Sequence, residues 1–99
     1  MAPITGIGYN PNMEKRISET EISYYWDDKK LAFVRFQIKD GVLDILQTVV
    51  DPSLRGQGIA GKLMEEVKGY CLEKGYSYKA TCSYAIKYFS SGKHQGYIG

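Results

Sequence analysis

The chain has 99 residues, of which 43% are hydrophobic and 24% charged, a composition typical of one compact domain with a single core. Thirteen basic and eleven acidic residues leave a net charge of +2, which is too small to indicate a nucleic-acid partner by electrostatics. No apolar run approaches the ~18–20 residues of a membrane span, so we expect no membrane association.

The amino-terminal residues show no secretory signal and no regular structure. Because the charged and apolar regions of such a signal are missing, we expect a cytoplasmic protein in which Cys71 and Cys82 are reduced thiols. Residues 1–16 have neither helical nor strand periodicity, and Gly and Pro interrupt their first half. We predict that they form an irregular or mobile arm and that residues 17–99 form a single domain.

The alternation of apolar and polar residues after this arm predicts three strands. Residues 22–26 alternate and end in a turn, and residues 31–40 alternate again. Asp40-Gly41 is a strong hairpin signal, and residues 42–50 resume as a third strand. The later half of this strand is apolar at adjacent positions, which predicts a central strand covered on both faces. The three strands are therefore expected to form an antiparallel sheet.

The clearest helix follows the break at residues 51–58. Its apolar stripe consists of Ile59, Ala60, Leu63, Met64, Val67 and Cys71. Gly75 is placed to cap its carboxyl end. Residues 76–82 alternate as a fourth strand, which a right-handed crossover would place parallel to the third. A short helix over residues 83–89, capped by Ser83, completes an α/β fold of the α+β type.

The segment 49–63 carries the chemistry that the sequence offers. A strand ends, Arg55-Gly56-Gln57-Gly58 forms a loop, and a helix begins at once. Free backbone N–H groups and the helix dipole make such a start an anion site. Glycines let the backbone approach a phosphate, and Arg55 adds charge-assisted hydrogen bonds. This pattern predicts a phosphate or pyrophosphate ligand, although glycines that only shape a tight loop are the alternative.

Two familiar phosphate loops fit this segment poorly. Gly56, Gly61 and Lys62 match the Walker spacing, but Leu63 stands where the magnesium-binding hydroxyl must be. Gly56, Gly58 and Gly61 also match G-x-G-x-x-G, yet the preceding strand grows from a hairpin instead of opening a βαβ unit.

The segment 55–60 (RGQGIA) matches the R/Q-x-x-G-x-G/A signature of the GNAT N-acetyltransferases, which this chain resembles. The order of hairpin strands, signature, amphipathic helix, strand and short helix is similar to their core. Residues 48–50, the block 80–85 (ATCSYA) and Tyr97 resemble a very small, single-domain GNAT-like subfamily. The resemblance covers roughly residues 18–99 and implies a minimal GNAT-like fold, in which one strand runs parallel to the central strand of the three-stranded sheet and two helices are added.

The resemblance also implies a cofactor and its contacts. The cofactor is acetyl-CoA, with its pyrophosphate on the amides of residues 55–60 and its pantetheine arm in a splay between residues 46–50 and 76–82. An amide of Val49 or Val50 then faces the thioester carbonyl, where negative charge develops. The residues expected to bind the coenzyme are Val49, Val50, Arg55, Gly56, Gln57, Gly58, Ile59 and Ala60.

The catalytic residues expected from the resemblance are Cys82 and Tyr84. Cys82 precedes a helix start, which can lower the pKa of a thiol, and it is a candidate acyl relay or else a small core residue. Tyr84 and Tyr88 share a helical face, where either could protonate a departing thiolate or simply pack. Cys71 lies on the apolar stripe of the first helix and is expected in the core.

One position departs from the small relatives. They typically read His-Thr where this chain has Gln47-Thr48, and glutamine is not a general base. The base must lie elsewhere, or water serves, or catalysis is weak; His94, the only histidine, has no position that the sequence fixes. Cys71, Cys82 and His94 lack the close pairs of zinc modules, so no metal site is expected.

Three functions remain open at this point. The first is an enzyme that transfers acetyl from acetyl-CoA to an amine, with Cys82 as a possible relay and a small exposed amine or a protein tail as acceptor. The second is a non-catalytic acyl-CoA-binding or sensing module, which the glutamine at position 47 favours. The third is an interaction domain built on Tyr and Lys; the lysines are scattered, so no basic stripe supports it.

Overall fold

The computed structural model describes residues 13–98, which form a five-stranded sheet with two α-helices. The strands are β1 (Met13–Ile17), β2 (Glu21–Trp26), β3 (Lys29–Lys39), β4 (Val42–Val50) and β5 (Ser77–Ala80). A short 3₁₀ turn (Pro52–Leu54) precedes α1 (Ile59–Lys74), and α2 (Ser83–Ser90) follows β5. The sheet order is β1-β2-β3-β4-β5, in which β4 and β5 are parallel and the other neighbours are antiparallel. The predicted α/β class and the parallel fourth strand of the sequence are confirmed.

The antiparallel part of the sheet has four strands instead of the predicted three. β1 pairs with β2 from Met13 opposite Trp26 to Ile17 opposite Ile22. The prediction of an irregular arm over residues 1–16 is therefore wrong for residues 13–16, and residues 1–12 lie outside the described part of the chain. Four of the five β1 residues are exposed, so this edge strand has no alternation of burial that a sequence pattern could reveal.

Local chemistry fixes the turn and the helix end that the sequence predicts. Asp40 and Gly41 have φ of 52° and 77°, the two positive values that a tight hairpin turn with a right-handed twist needs. Gly75 ends α1 in the left-handed region at φ 79°, and its N–H and that of Tyr76 both donate to the Cys71 carbonyl. Both elements begin and end within a residue or two of the prediction.

Both helices pack on one face of the sheet, here called the inner face. Its core joins sheet residues to α1 and α2 in one cluster: Ile22, Tyr24, Trp26, Ala32, Val34, Phe36, Leu43, Ile45, Ile59, Leu63, Met64, Val67, Cys71, Tyr78, Ala85 and Phe89. The burial of these apolar side chains is the main stabilising contribution to the fold. Among the described residues, no helix is long and apolar enough to cross a membrane.

The opposite side of the sheet, here called the open face, carries neither described helix. Phe33 and Arg35 alternate with the buried Ala32, Val34 and Phe36 and therefore point to this side. Their register partners on β4 are Val49 and Gln47, and partners in a sheet share a face. The expectation that late β4 is covered on both faces is wrong, because Gln47 is exposed. The open face is defined here by Ser23, Tyr25, Phe33, Arg35, Gln47 and Val49.

Candidate functional site

A cavity of about 480 Å³ lies where the start of α1 meets the start of α2 beside the end of β4. Its lining combines backbone-rich positions with one cation and one phenol: Thr48, Val50, Leu54, Arg55, Gly56, Gly58, Ile59, Ala60, Gly61 and Tyr84. The segment singled out by sequence therefore forms one wall of a cavity, and the beginning of α2 supplies another.

The start of α1 presents unpaired donors to this cavity. The first intrahelical hydrogen bond runs from the Lys62 N–H to the Gly58 carbonyl at 3.0 Å. The N–H groups of Ile59, Ala60 and Gly61 thus precede the helical ladder, and no side chain caps them. The first turn holds no acidic residue that would neutralise the positive end of the helix dipole. This end of α1 suits an anion.

The loop before α1 is held by hydrogen bonds in its first part and exposes its backbone in its second part. Asp51 accepts hydrogen bonds from the N–H and hydroxyl of Ser53, which hold its pKa below the usual value and fix the 3₁₀ turn. Gly56 and Gly58 then take φ of 84° and 74°, and a Cβ at either would meet nothing within 4 Å. The bare backbone is therefore accessible from the cavity side, and Arg55 lines the cavity as an exposed cation.

The strands β4 and β5 separate beside the cavity. Their pairing ends at Ile45 opposite Ala80, where the Ile45 carbonyl accepts from both the Thr81 and the Cys82 N–H. In the described residues, 46–50 have no strand partner on that side. Asp51 donates to the Leu31 carbonyl at 2.7 Å, so the alternation of an antiparallel pair turns the backbone of Val49 toward β3 and that of Val50 into the splay.

Cys82 lies across this splay from Thr48, with 3.6 Å between its Sγ and the threonine Oγ1. It occupies the N-cap position of α2, so the prediction that Ser83 caps this helix and that the strand runs to residue 82 is wrong; β5 ends at Ala80. Partial burial raises the pKa of the thiol, but the N–H groups of Ala85 and Tyr84 and the contact with Thr48 outweigh burial and leave the pKa lowered.

Tyr84 and Tyr88 have different surroundings despite sharing a helical face. Tyr88 donates a short hydrogen bond to the Glu65 carboxylate, and burial followed by that bond raises its pKa to about 12. Tyr84 lines the cavity, is 41% exposed, and has its pKa raised by partial burial. A Cβ at Gly61 would lie 3.6 Å from a Tyr88 ring carbon and 3.8 Å from the Tyr84 hydroxyl, both ordinary contact distances, so α2 packs beside the first turn of α1.

The structure brings most of the predicted site residues together. Around the cavity lie Val50, Arg55, Gly56, Gly58, Ile59, Ala60 and Tyr84, with Cys82 one contact away through Thr48. In the described residues, Val49 and Gln57 do not line this cavity: Val49 is on the open face, and Gln57 lines a separate cavity of about 410 Å³ with Trp26 and Leu31.

Sequence reasoning missed three lining residues, Thr48, Leu54 and Gly61, and left the position of His94 open. Thr48 shares the face of Val50 two residues away, a signal that strand alternation supplies, and Gly61 appeared only as part of a rejected motif. His94 contacts the Phe89 ring and lies 3.2 Å from the Lys68 amine through its Nδ1, away from the lining residues. Among the described residues, no group of three or more His, Cys, Asp or Glu side chains is arranged to hold a metal ion.

Comparisons with known proteins agree with this geometry. A family model described as GCN5-related N-acetyl-transferase matches residues 21–97. A GCN5-like protein of Staphylococcus aureus, solved by NMR, has a TM-score of 0.72 at 25% identity, over 89% of this chain and 90% of that one. No curated protein matches the chain.

Two larger enzymes share the fold alone. The PaiA N-acetyltransferase of Thermoplasma acidophilum, in complex with coenzyme A, has a TM-score of 0.58 at 14% identity, over 72% of this chain and 48% of its own. The ribosomal-protein-S18-alanine N-acetyltransferase of Escherichia coli has a TM-score of 0.59 at 18% identity, over 85% of this chain and 54% of its own. The described chain thus corresponds to about half the length of each.

Proposed function

Because the chain belongs to the GCN5-related N-acetyltransferase family, we propose that it binds acetyl-CoA in the cavity at the start of α1 and transfers the acetyl group to an amine. The observation that carries this proposal is the placement of free α1 donors, the left-handed glycines and Arg55 on one cavity that opens onto the β4–β5 splay. We further propose that the protein is cytoplasmic.

The residues present fit the coenzyme by their chemistry. A pyrophosphate carries negative charge, and the N–H groups of residues 56–60 with the α1 dipole and the Arg55 guanidinium are the donors that such a group requires, since the Arg55 backbone N–H already donates to the Pro52 carbonyl. A Cβ at Gly56 or Gly58 would meet open space, so a ligand can reach the backbone at both positions. We assign this role to Arg55, Gly56, Gly58, Ile59 and Ala60, which line the cavity, and leave out Gln57, which lines the separate cavity.

The unpaired edge of β4 supplies the next contacts. An extended amide chain can pair with the backbone of residues 46–50, which has no strand partner on the splay side within the described structure. The backbone direction makes Val50 a better donor to a carbonyl in the splay than Val49. Bound acetyl-CoA supplies an activated acetyl thioester; the Val50 N–H would stabilise the negative charge that develops on its carbonyl oxygen.

Cys82 and Tyr84 are the side chains proposed for proton and acyl transfer. The lowered pKa of Cys82 increases the thiolate fraction, and a thiolate can accept the acetyl group and release it to an amine. The Tyr84 hydroxyl lines the cavity and is protonated at neutral pH, so it can donate a proton to a departing thiolate; partial burial raises its pKa. Tyr88 is less suited because its hydroxyl is already bonded to Glu65.

The test is a titration of the ¹⁵N-labelled chain with acetyl-CoA, followed by intact-mass measurement. We expect amide shifts in residues 46–50 and 55–61 and, on incubation, a gain of one acetyl group at Cys82 that a supplied amine removes. Cys82→Ser tests the relay, with Cys71→Ser as the matched control because Cys71 is buried in α1. An absence of shifts in both segments would contradict coenzyme binding.

A second candidate is a non-catalytic acyl-CoA-binding module. Gln47 favours it, since the position where the small relatives carry histidine holds a side chain that cannot take a proton, and its Oε1 lies 3.3 Å from an Arg35 nitrogen. Under this alternative, the amide shifts appear but neither Cys82 nor any supplied amine is acetylated. The same mass measurement therefore separates the two functions.

A further inference from the structure

The open face carries a cation beside the splay that no described carboxylate pairs with. Arg35 extends over the open face, where its NH1 donates to Gln47 Oε1 at 3.3 Å and its guanidinium carbon lies 5.2 Å from the Phe33 ring centroid. Within the described residues, no Asp or Glu oxygen is within 4.0 Å of it. Glu21 is its register neighbour on β2, but that carboxylate pairs with Lys30 at 2.5 Å.

Two other cations on this side of the sheet already have carboxylate partners. Arg16 lies over the Tyr25 ring at 3.8 Å and bonds the Glu14 carboxylate at 2.9 Å. Lys30 lies 5.0 Å from the Phe33 centroid and holds Glu21. The guanidinium of Arg35 has five N–H donors in a planar fork, and the contact with Gln47 uses only part of them. Its remaining donors suit a carboxylate, which such a fork binds through two parallel hydrogen bonds.

The position of Arg35 relates this free cation to acetyl transfer. The proposed coenzyme cavity lies on the inner face with Thr48 and Val50, whereas Gln47 and Val49 of the same strand point to the open face. The sheet separates the inner face from the open face. In the splay after Ile45, the same β4 backbone can be reached from both faces. An amine held over Arg35 and Gln47 therefore approaches the splay from the side that the coenzyme does not occupy.

We propose that the acceptor is an amine that also carries a carboxylate, and that Arg35, oriented by Gln47 and Phe33, binds this carboxylate on the open face. The proposal rests on the proposed acetyl transfer and adds the substrate class to it. Gln47 then has a positioning role: its amide oxygen holds the guanidinium beside the splay, where a histidine would have been a base. A cationic acceptor, such as a diamine, would meet like charge at Arg35 and is disfavoured.

The experiment compares three amines of similar length: 4-aminobutanoate, butylamine and 1,4-diaminobutane. Each is titrated into the ¹⁵N-labelled full chain with and without coenzyme A, and shifts are read at the Arg35 Nε–H, the Gln47 side-chain amide and the backbone of residues 33–35 and 47–49. We expect 4-aminobutanoate to bind about tenfold tighter than butylamine, the factor typical of a charge-assisted hydrogen bond. We expect 1,4-diaminobutane to bind most weakly.

Variants assign the effect to one guanidinium. Arg35→Gln should reduce the affinity for 4-aminobutanoate to that for butylamine, and Arg35→Lys should restore only part of it, because an ammonium lacks the planar fork. Arg16→Gln is the matched control, since it removes an already paired cation from the same face and should change nothing. Equal or stronger binding of butylamine or the diamine, no effect of Arg35→Gln, or no binding of 4-aminobutanoate would overturn the proposal.

The two proposals fail separately in this design. Coenzyme binding is read at residues 55–61 on the inner face, and carboxylate binding is read on the open face in the absence of coenzyme as well. A missing response at residues 55–61 with an intact response at Arg35 would reject the coenzyme site alone. The reverse pattern would reject the acceptor class and leave the proposed acetyl-CoA binding unaffected.

Discussion

Replacing Gly58 and Gly69 by alanine should change stability in opposite directions, although both glycines belong to the same helix region. Gly58 is the N-cap of α1 at φ 74°, whereas Gly69 is an exposed position inside the helix. An added Cβ would meet no atom within 4 Å at either site. Neither substitution introduces a steric contact, so the difference in stability between the two variants reports the backbone conformation at each site.

The magnitude follows from that conformation. A left-handed backbone costs an L-residue about 1–2 kcal/mol, so Gly58→Ala should lose that much unfolding free energy. Alanine in a helix interior is favoured over glycine by about 0.5–1 kcal/mol, so Gly69→Ala should gain that amount. The two variants should then differ by about 1.5–3 kcal/mol, which corresponds to about 6 °C or more in Tm for a domain of this size.

The assay is urea unfolding followed by far-UV circular dichroism, with the free energy taken from linear extrapolation at equal slopes. A coenzyme A titration of the folded variants adds a second measurement: Gly58→Ala should weaken binding, because the methyl group occupies the loop that lines the cavity, and Gly69→Ala should not. A Gly58→Ala variant as stable as the natural chain, or two variants of equal stability, would refute the left-handed start of α1.

Two further comparisons use matched pairs. Iodoacetamide should modify Cys82 well before Cys71, because burial raises the pKa of Cys71 to about 11 while the pKa of Cys82 is lowered. The rate of modification at Cys82 should rise with pH to a midpoint below 9.0. Equal rates of modification at the two cysteines in peptide mapping would contradict this. Leu63→Ala should cost about 2–5 kcal/mol of unfolding free energy, because Leu63 is fully buried, and Leu72→Ala should cost less than about 0.5 kcal/mol, because Leu72 is 43% exposed. Comparable losses in urea unfolding would contradict the assignment of Leu63 to the side of α1 that packs on the sheet.

The elements that local chemistry specifies are those the sequence predicts well. Asp40 and Gly41 define a turn through two positive φ values, and Gly75 ends α1 for the same reason. The apolar stripe of α1 has helical spacing because one side of it faces the sheet. Each signal is contained within a few consecutive residues, so no knowledge of distant contacts is needed to read it.

What the sequence did not reveal depends on contacts between distant segments. β1 is held by its pairing with β2 and has little burial of its own, so its polar residues read as an irregular arm. The register shift between Arg35 and Phe36, opposite Leu46, changes which late β4 residues point to the inner face. The choice between Val49 and Val50 could not be made without that shift.

The proposed coenzyme site and the proposed acceptor site lie on opposite faces of the sheet. On the inner face, α1 and α2 supply the donors, Cys82 and Tyr84, so the groups proposed for the coenzyme and for acyl transfer all lie on one side of β4. The described residues provide no helix over the open face, so an acceptor there has to be selected by side chains of the strands themselves. Arg35 is a charged group placed for this, because its partner Gln47 belongs to the strand that borders the splay. Glutamine at that position therefore has a physical consequence beyond the loss of proton transfer: it provides a neutral hydrogen-bond acceptor that holds Arg35 on the open face, on the strand that borders the splay.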